Sequence, residues 1–292
     1  MNTYENAIEL KNVTKEYDGF KLDNISFNVQ KGSIMGFIGQ NGAGKTTTIR
    51  SILNIISTDG GEIKLLGLDH IKNEMEIKSR IAVVFDEMPF HDIFTAKDMA
   101  RIFEGIYPEW NYSVYSEYIE HFSLPTRKKI GQFSKGMKMK LQIACALSHN
   151  AEILIMDEAT TGLDPVIRDE ILHFFMEYLK DGERSILMSS HITSDLEKTA
   201  DCVTFIDKGK ILLTNYKDIL LETHGILKCS KEEIHDVDDE DIVSIRINNY
   251  GAEIMVRDME TAKHKYSGAI IDPAKLDDIM IYYVHKSEKE WS

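Results

Sequence analysis

Cysteine is nearly absent: Cys145, Cys202 and Cys229 are the only three in 292 residues. They stand far apart and lack metal-ligand spacing, so buried or incidental thiols are expected rather than a zinc site or disulfide framework. Long apolar runs are absent too. No stretch approaches the about 18 residues of a membrane-spanning helix. The start, Met1 to Asn6, has no basic region leading into an apolar stretch, so no secretory signal is expected and the cytoplasm is the expected compartment. Positive charge is in deficit, with 34 Lys and Arg against 48 Asp and Glu, a formal charge of −14. A nucleic-acid partner is therefore not expected, because binding phosphate backbones needs a basic face. Direct adsorption to anionic lipid is disfavoured for the same reason. Docking on a basic cytoplasmic loop of a membrane protein suits this charge better. Repeats and low-complexity tracts are missing. What remains is an ordinary globular composition, 43% hydrophobic and 28% charged, long enough for about two domains, one of them large.

Against that background one segment stands out. Gly39, Gln40, Asn41, Gly42, Ala43, Gly44, Lys45, Thr46 and Thr47 complete a G-x-x-x-x-G-K-[ST] loop. The run Ser33–Ile38 before it is of strand type, and Ile49, Ile52, Leu53 and Ile56 after it mark one helical face. That is the setting the motif needs. The glycines let backbone N–H groups turn inward around phosphate oxygens, and the new helix adds the positive end of its dipole. Lys45 supplies a mobile cation, and the Thr46 hydroxyl is a candidate Mg²⁺ ligand.

Further motifs follow in order. Phe133 to Met137, containing Ser134, Lys135 and Gly136, opens a helical segment with Leu141, Ala144, Cys145 and Ser148 on one face. Ile153–Asp157 is an apolar strand ending in two carboxylates, Asp157 and Glu158, placed to hold Mg²⁺ through water and to polarise an attacking water. Thr160 to Pro165 succeeds it, including Asp164, and the strand Ser185–Ser190 delivers His191. Strand–helix alternation from Ile153 to Asp207 implies a mostly parallel sheet covered by helices, with Gly39, Asp157 and His191 at the carboxyl ends of its strands.

This order resembles the ATP-binding cassette of ABC transporters, from about Ala7 to Leu221. The resemblance implies ATP and Mg²⁺ as cofactors and an α/β P-loop NTPase fold. That fold has a mostly parallel core sheet, an antiparallel β subdomain and a helical subdomain at about 87–150. It implies a nucleotide-stacking aromatic at Tyr17, a phosphate loop at Gly39–Thr47, and a signature motif through Ser134, Gly136 and Met137. It further implies a D-loop around Asp164, metal contacts from Thr46 and Asp157, and catalytic roles for Lys45, Glu158 and His191. The chain looks most like the single-cassette ATPase subunits of bacterial peptide, antibiotic and bacteriocin exporters. Its implied partners are a second cassette, in a homodimer or heterodimer, and a separate multi-span membrane permease on whose cytoplasmic face it would sit. Three positions depart from the family pattern. Lys135 replaces the first glycine after the signature serine, and Ala159 stands where proline usually follows the glutamate. Asp86, followed by Glu87, replaces a glutamine that contacts Mg²⁺ or water, so Asp86 is a third candidate metal ligand. A soluble ABC-type ATPase without a transport partner is the rival reading. Ribosome-acting relatives carry two cassettes, and chromosome-acting ones a long coiled coil, and neither is present here. A regulatory protein that binds ATP without turnover is disfavoured by Glu158 and His191.

The division expected is a cassette over 1–222 and a small α+β appendage over 223–292. In the appendage, Val243, Ile245 and Ile247 alternate, a turn at Asn248–Gly251 leads to a second strand, and Asp272-Pro273 is expected to open a helix with Leu276, Ile279 and Tyr283 on its face. The acidic run His235–Asp241 is expected to be a solvated linker. So small a unit must pack on the cassette or on a second copy of itself, and pairing between two copies is the favoured expectation.

Overall fold

A computed structural model describes residues 4–290. β1 (Asn6–Tyr17) and β2 (Phe20–Gln30) form a long antiparallel hairpin. β3 (Ile34–Ile38) runs into the glycine loop and α1 (Lys45–Ile52). β4 (Gly60–Leu65), β5 (Leu68–Asp69), α2 (Glu74–Arg80) and β6 (Ile81–Phe85) follow. Three helices come next, α3 (Ala96–Ile106), α4 (Tyr112–His121) and α5 (Lys135–Leu147). The chain then alternates through β7 (Ile153–Asp157), α6 (Pro165–Tyr178), β8 (Ser185–Ser190), α7 (Thr193–Thr199) and β9 (Cys202–Asp207). It turns back in β10 (Lys210–Tyr216) and α8 (Lys217–Thr223). The remainder holds β11 (Gly225–Cys229), β12 (Ile242–Ile247), β13 (Ala252–Val256), α9 (Met259–Lys265), β14 (Ile270–Pro273) and α10 (Leu276–Glu290).

The central sheet has the order β10-β9-β3-β8-β7-β6, parallel except for β10 at one edge. β3, β7, β8 and β9 are buried along their whole length, as continuous apolar runs in a parallel sheet require. The antiparallel sheet β2-β1-β4-β5 shares a core with it, where Phe27 stacks on Phe37 with ring centroids 5.1 Å apart. The strand order brings the loops after β3, β6, β7 and β8 to one edge. That edge carries the candidate site.

Between β6 and β7 the chain is helical. Thr95 and Asp98 form a reciprocal cap on α3, and Asn111 caps α4. α3 ends before Pro108, as the proline dictates. Tyr115 is buried and its hydroxyl donates to the Ala96 carbonyl at 2.7 Å, while Tyr107, Trp110 and Tyr118 are half-buried and Tyr112 is exposed. The aromatics here mostly serve the local core. α5 differs from the expected one-sided helix: every residue from Leu141 to Leu147 is buried, because α3, α4, α6 and β6 surround it.

The C-terminal unit is larger than the expected hairpin and single helix. It is a four-stranded antiparallel sheet, β12-β13-β11-β14, with α9 and α10. Asp272 and Pro273 do not open the helix; they end the edge strand β14, where a proline needs no ladder partner, and α10 starts at Leu276. Its buried face is Leu276, Ile279 and Tyr282, with Tyr283 only half-buried. The acidic run is partly folded, since Glu232–Asp236 forms a 3₁₀ turn and Asp241 accepts from Lys265 and Tyr266. A register shift in β12 breaks the alternation, leaving Ile247 63% exposed. α10 lies chiefly on β12 and also on α7, β10 and α8 of its own chain. Its first N–H donates to Glu197 of α7 at 2.8 Å, so the unit packs in cis.

Candidate active site

β3 is too short and too buried to do anything but deliver the chain to Gly39. Gly44 then takes φ 116°, a region that side chains rarely enter, and a Cβ there would lie 2.8 Å from Leu22 of the hairpin. The turn leaves the first N–H groups of α1 without a side-chain cap at the floor of a cavity of about 1140 Å³. Residues Gln40–Gly42 and Gly44–Thr47 line it, with Asp86, Asp157 and Glu158 from the neighbouring strand ends.

Asp157 ends β7 opposite Ser189 of β8. The Ser189 hydroxyl donates to Asp157 Oδ1 at 2.8 Å and accepts the Glu158 N–H at 3.0 Å. Glu158 itself has φ 53°, an uncommon conformation for a non-glycine residue that aims its side chain back over the phosphate loop. One of its oxygens lies 3.0 Å from Lys45 Nζ and the other 3.1 Å from His191 Nδ1. Lys45 is only 4% exposed and also donates to the carbonyls of Gly39 and Gln40. Burial alone pushes the Glu158 carboxyl up, but Lys45 and His191 together outweigh it and hold the group below the usual glutamate value. Glu158 is therefore ionised at neutral pH.

Tyr17, Ser134, Gly136, Met137 and Asp164 do not line this cavity. Tyr17 is 44% exposed under Lys15, 5.4 Å from its ring centroid; Phe20, across the hairpin turn, does line the cavity, as does Phe85 at the end of β6. Ser134 caps α5 by accepting the Met137 N–H at 3.2 Å, and Asp164 caps α6 by accepting the N–H groups of Val166 and Ile167 at 3.1 Å. Gly136 has a reason within the chain, because a Cβ there would lie 2.5 Å from Ile167 Cδ1. Asp86 lines the cavity, but its carboxylate is held by Lys135 Nζ at 2.6 Å. Sequence reading missed Phe20, Arg50, Ser189 and Gln142. Arg50 is a second cation in the cavity, and Gln142 of α5 pairs with both backbone groups of Phe85 at 3.2 and 3.3 Å. Aligning the ends of β7 and β8 could have found Ser189; nothing in the sequence marks the others.

Four carboxylates, Asp86, Glu87, Asp157 and Glu158, face this cavity against the cations Lys45 and Arg50. A triphosphate there calls for an added cation, and the Thr46 hydroxyl with the Asp157 carboxylate offers the hard oxygen donors that Mg²⁺ takes. Among the described residues no three His, Cys, Asp or Glu side chains gather as a self-sufficient metal site.

A glycine loop on a helix N-terminus, with an ionised carboxylate reaching across to its lysine, places the chain among the P-loop nucleotide hydrolases. Known proteins narrow the class. The profile described as "ABC transporter" matches residues 22–161. The bacitracin transport ATP-binding protein BcrA of Bacillus licheniformis is 39% identical over 70% of this chain and 68% of its own length. The ABC transporter ATP-binding protein YtrB of Bacillus subtilis is 32% identical over 73% and 72%. A solved ATP-binding subunit of an ABC transporter, 25% identical, superposes with a TM-score of 0.67 over 73% of this chain and 91% of that one. The chain belongs to the ATP-binding subunits of ABC transporters, and the activity that comes with this membership is ATP hydrolysis coupled to transport. Among the described residues no helix is long and apolar enough to cross a membrane.

Proposed function

We propose that this chain energises export of an amphiphilic peptide or antibiotic through a separate multi-span permease, on whose cytoplasmic face it sits. The cargo class is supported by the bacitracin transport protein among its relatives. In this reading 1–222 is the catalytic cassette and 223–292 an appendage to it. Lys45 and the loop Gly39–Thr47 bind the phosphates, and Glu158 orients the attacking water with His191 holding the carboxylate. Thr46 and Asp157 would hold Mg²⁺, whose chemistry is to neutralise charge developing on the phosphates. Phe20, which lines the cavity, stacks on the base in place of Tyr17, which does not line it. Ser134, Gly136, Met137 and Asp164 serve the nucleotide of a second cassette, a role supported by their standing outside the lining of this chain's own cavity. ATP bridging two such surfaces stabilises the closed pair, and hydrolysis removes the bridging charge.

The observation that carries this reading is the bridge Lys45–Glu158–His191, which joins three strand-end loops at one point. Deleting the gene in its host is expected to raise sensitivity to an amphiphilic peptide antibiotic. Wild-type chain restores resistance, and Glu158→Gln does not. Unchanged sensitivity across a panel of such antibiotics, with ATP hydrolysis intact in vitro, would refute export of this cargo class.

A further inference from the structure

Two departures from the family pattern meet in space. Asp86 and Lys135 are 49 positions apart, yet Oδ1 and Nζ are 2.6 Å from each other. Asp86 is part of this chain's own nucleotide cavity. Lys135 is the first residue of α5, directly after Ser134, on the surface that serves the second cassette in the reading above. The lysine is misplaced by the usual rule. A cation at a helix N-terminus opposes the dipole, and the first turn of α5 holds no acid to offset it. The loop after β6 supplies the missing charge from outside, with Asp86 on Lys135 and Asp92 on Lys138 at 3.3 Å. Gln142 fixes the start of that loop by its double contact with Phe85.

Asp86 and Lys135 are 39% and 45% exposed. An exposed pair of this kind shifts an equilibrium by no more than about fivefold. A triphosphate carries several charges and accepts stronger, charge-assisted hydrogen bonds. It therefore outcompetes a single carboxylate for the same lysine.

We propose that Asp86 and Lys135 form a charge relay between the two nucleotides of a cassette pair. With no second cassette, Asp86 holds Lys135 back. When the pair closes, the opposite triphosphate takes the lysine, and Asp86 is left as one more uncompensated carboxylate beside this chain's own nucleotide. Each site thereby registers occupancy of the other, and linkage makes the effect reciprocal. Asp86 is thus a positioning residue that acts on the second nucleotide through Lys135. The relay rests on the paired-cassette reading; the holding of Lys135 by Asp86 does not.

Two measurements separate these. In the nucleotide-free chain, competitive acetylation read by mass spectrometry should show Lys135 labelled about threefold or more faster in Asp86→Asn than in wild type, with Lys138 unchanged as internal control. Equal labelling of Lys135 would overturn the pair itself. ATP-driven association is then measured by sedimentation in a Glu158→Gln background. Asp86→Asn should tighten it about fivefold by removing the competitor, Lys135→Met should weaken it, and the double variant should match Lys135→Met alone. If Asp86→Asn has the same effect with or without Lys135, Asp86 acts on its own nucleotide and the relay is refuted. If ATP binds but no variant associates, the paired-cassette reading falls and takes the relay with it, while the labelling result still stands for the held lysine.

Discussion

Replacing Glu158 by glutamine should push binding and turnover in opposite directions. In the nucleotide-free chain the carboxylate is a competitor as well as a base, because it occupies the lysine that phosphate needs, 3.0 Å away and almost fully buried. At an effective dielectric of about 20 that contact amounts to about 5 kcal/mol of Coulomb attraction, most of it offset by desolvation. The net worth of a charge-assisted hydrogen bond is about 1.5–3 kcal/mol. Glutamine keeps the shape and a weaker acceptor, and Lys45 retains the Gly39 and Gln40 carbonyls, so the lower end applies. ATP should therefore bind about tenfold tighter to Glu158→Gln. Turnover should fall about 10²–10⁴-fold, the range for losing a positioned general base. Calorimetric titration with ATP and steady-state phosphate release give the two numbers. Weaker binding with near wild-type turnover would show Glu158 to be a tether for the loop, and the catalytic assignment would be wrong.

Lys45→Ala should instead weaken ATP binding and turnover together, since the cation serves phosphate in the ground state; unchanged affinity by calorimetry would contradict the phosphate-loop reading. Gly136→Ala should lower stability in urea by about 1–3 kcal/mol, because its Cβ would meet Ile167 at 2.5 Å, and Ile167→Ala in the same chain should recover most of that loss. No recovery would mean that the glycine is needed for another reason. Glu152 accepts from Arg80 at 2.6 and 3.1 Å and from the Tyr4 hydroxyl at 2.7 Å. Burial pushes this carboxyl up, but those partners outweigh it and lower its pKa from the ordinary 4.5. A lowered folded-state value means that the stability it contributes is present above about pH 4.5 and lost as pH falls through that lower value. The stability gap between wild type and Glu152→Gln should therefore hold from pH 7 to about 5 and close in more acidic solution. A gap that closes on the alkaline side would refute the assignment.

Much of the site was legible because its parts are local. A strand, a glycine turn and a helix start are specified by about fifteen consecutive residues, and the loop Gly39–Thr47 stands between β3 and α1 as its pattern requires. The strand ending at Asp157, the cap at Ser134 and the strand before His191 follow from the same short-range rules of hydropathy and hydrogen bonding. Where local rules had competitors they failed. Asp272-Pro273 reads as a helix start in isolation, but pairing of Ile270–Pro273 with β11 satisfies the backbone first. The face of α5 reads as one-sided, yet four neighbouring elements bury it all round.

What only the tertiary structure decided is how residues distant in sequence share one place. The order β10-β9-β3-β8-β7-β6 is not the order of the chain; it brings the ends of β3, β8 and β7 together, and the backbone turn at Glu158 then lets its carboxylate meet both Lys45 and His191. The same packing chose Phe20 over Tyr17 for the cavity wall and gave Lys135 a counter-charge in Asp86. Periodicity and turn chemistry act over a few residues, and they determined the pieces. Distances between charges depend on how sheets and helices stack, a global outcome of burying apolar surface, and no short window of the sequence contains it.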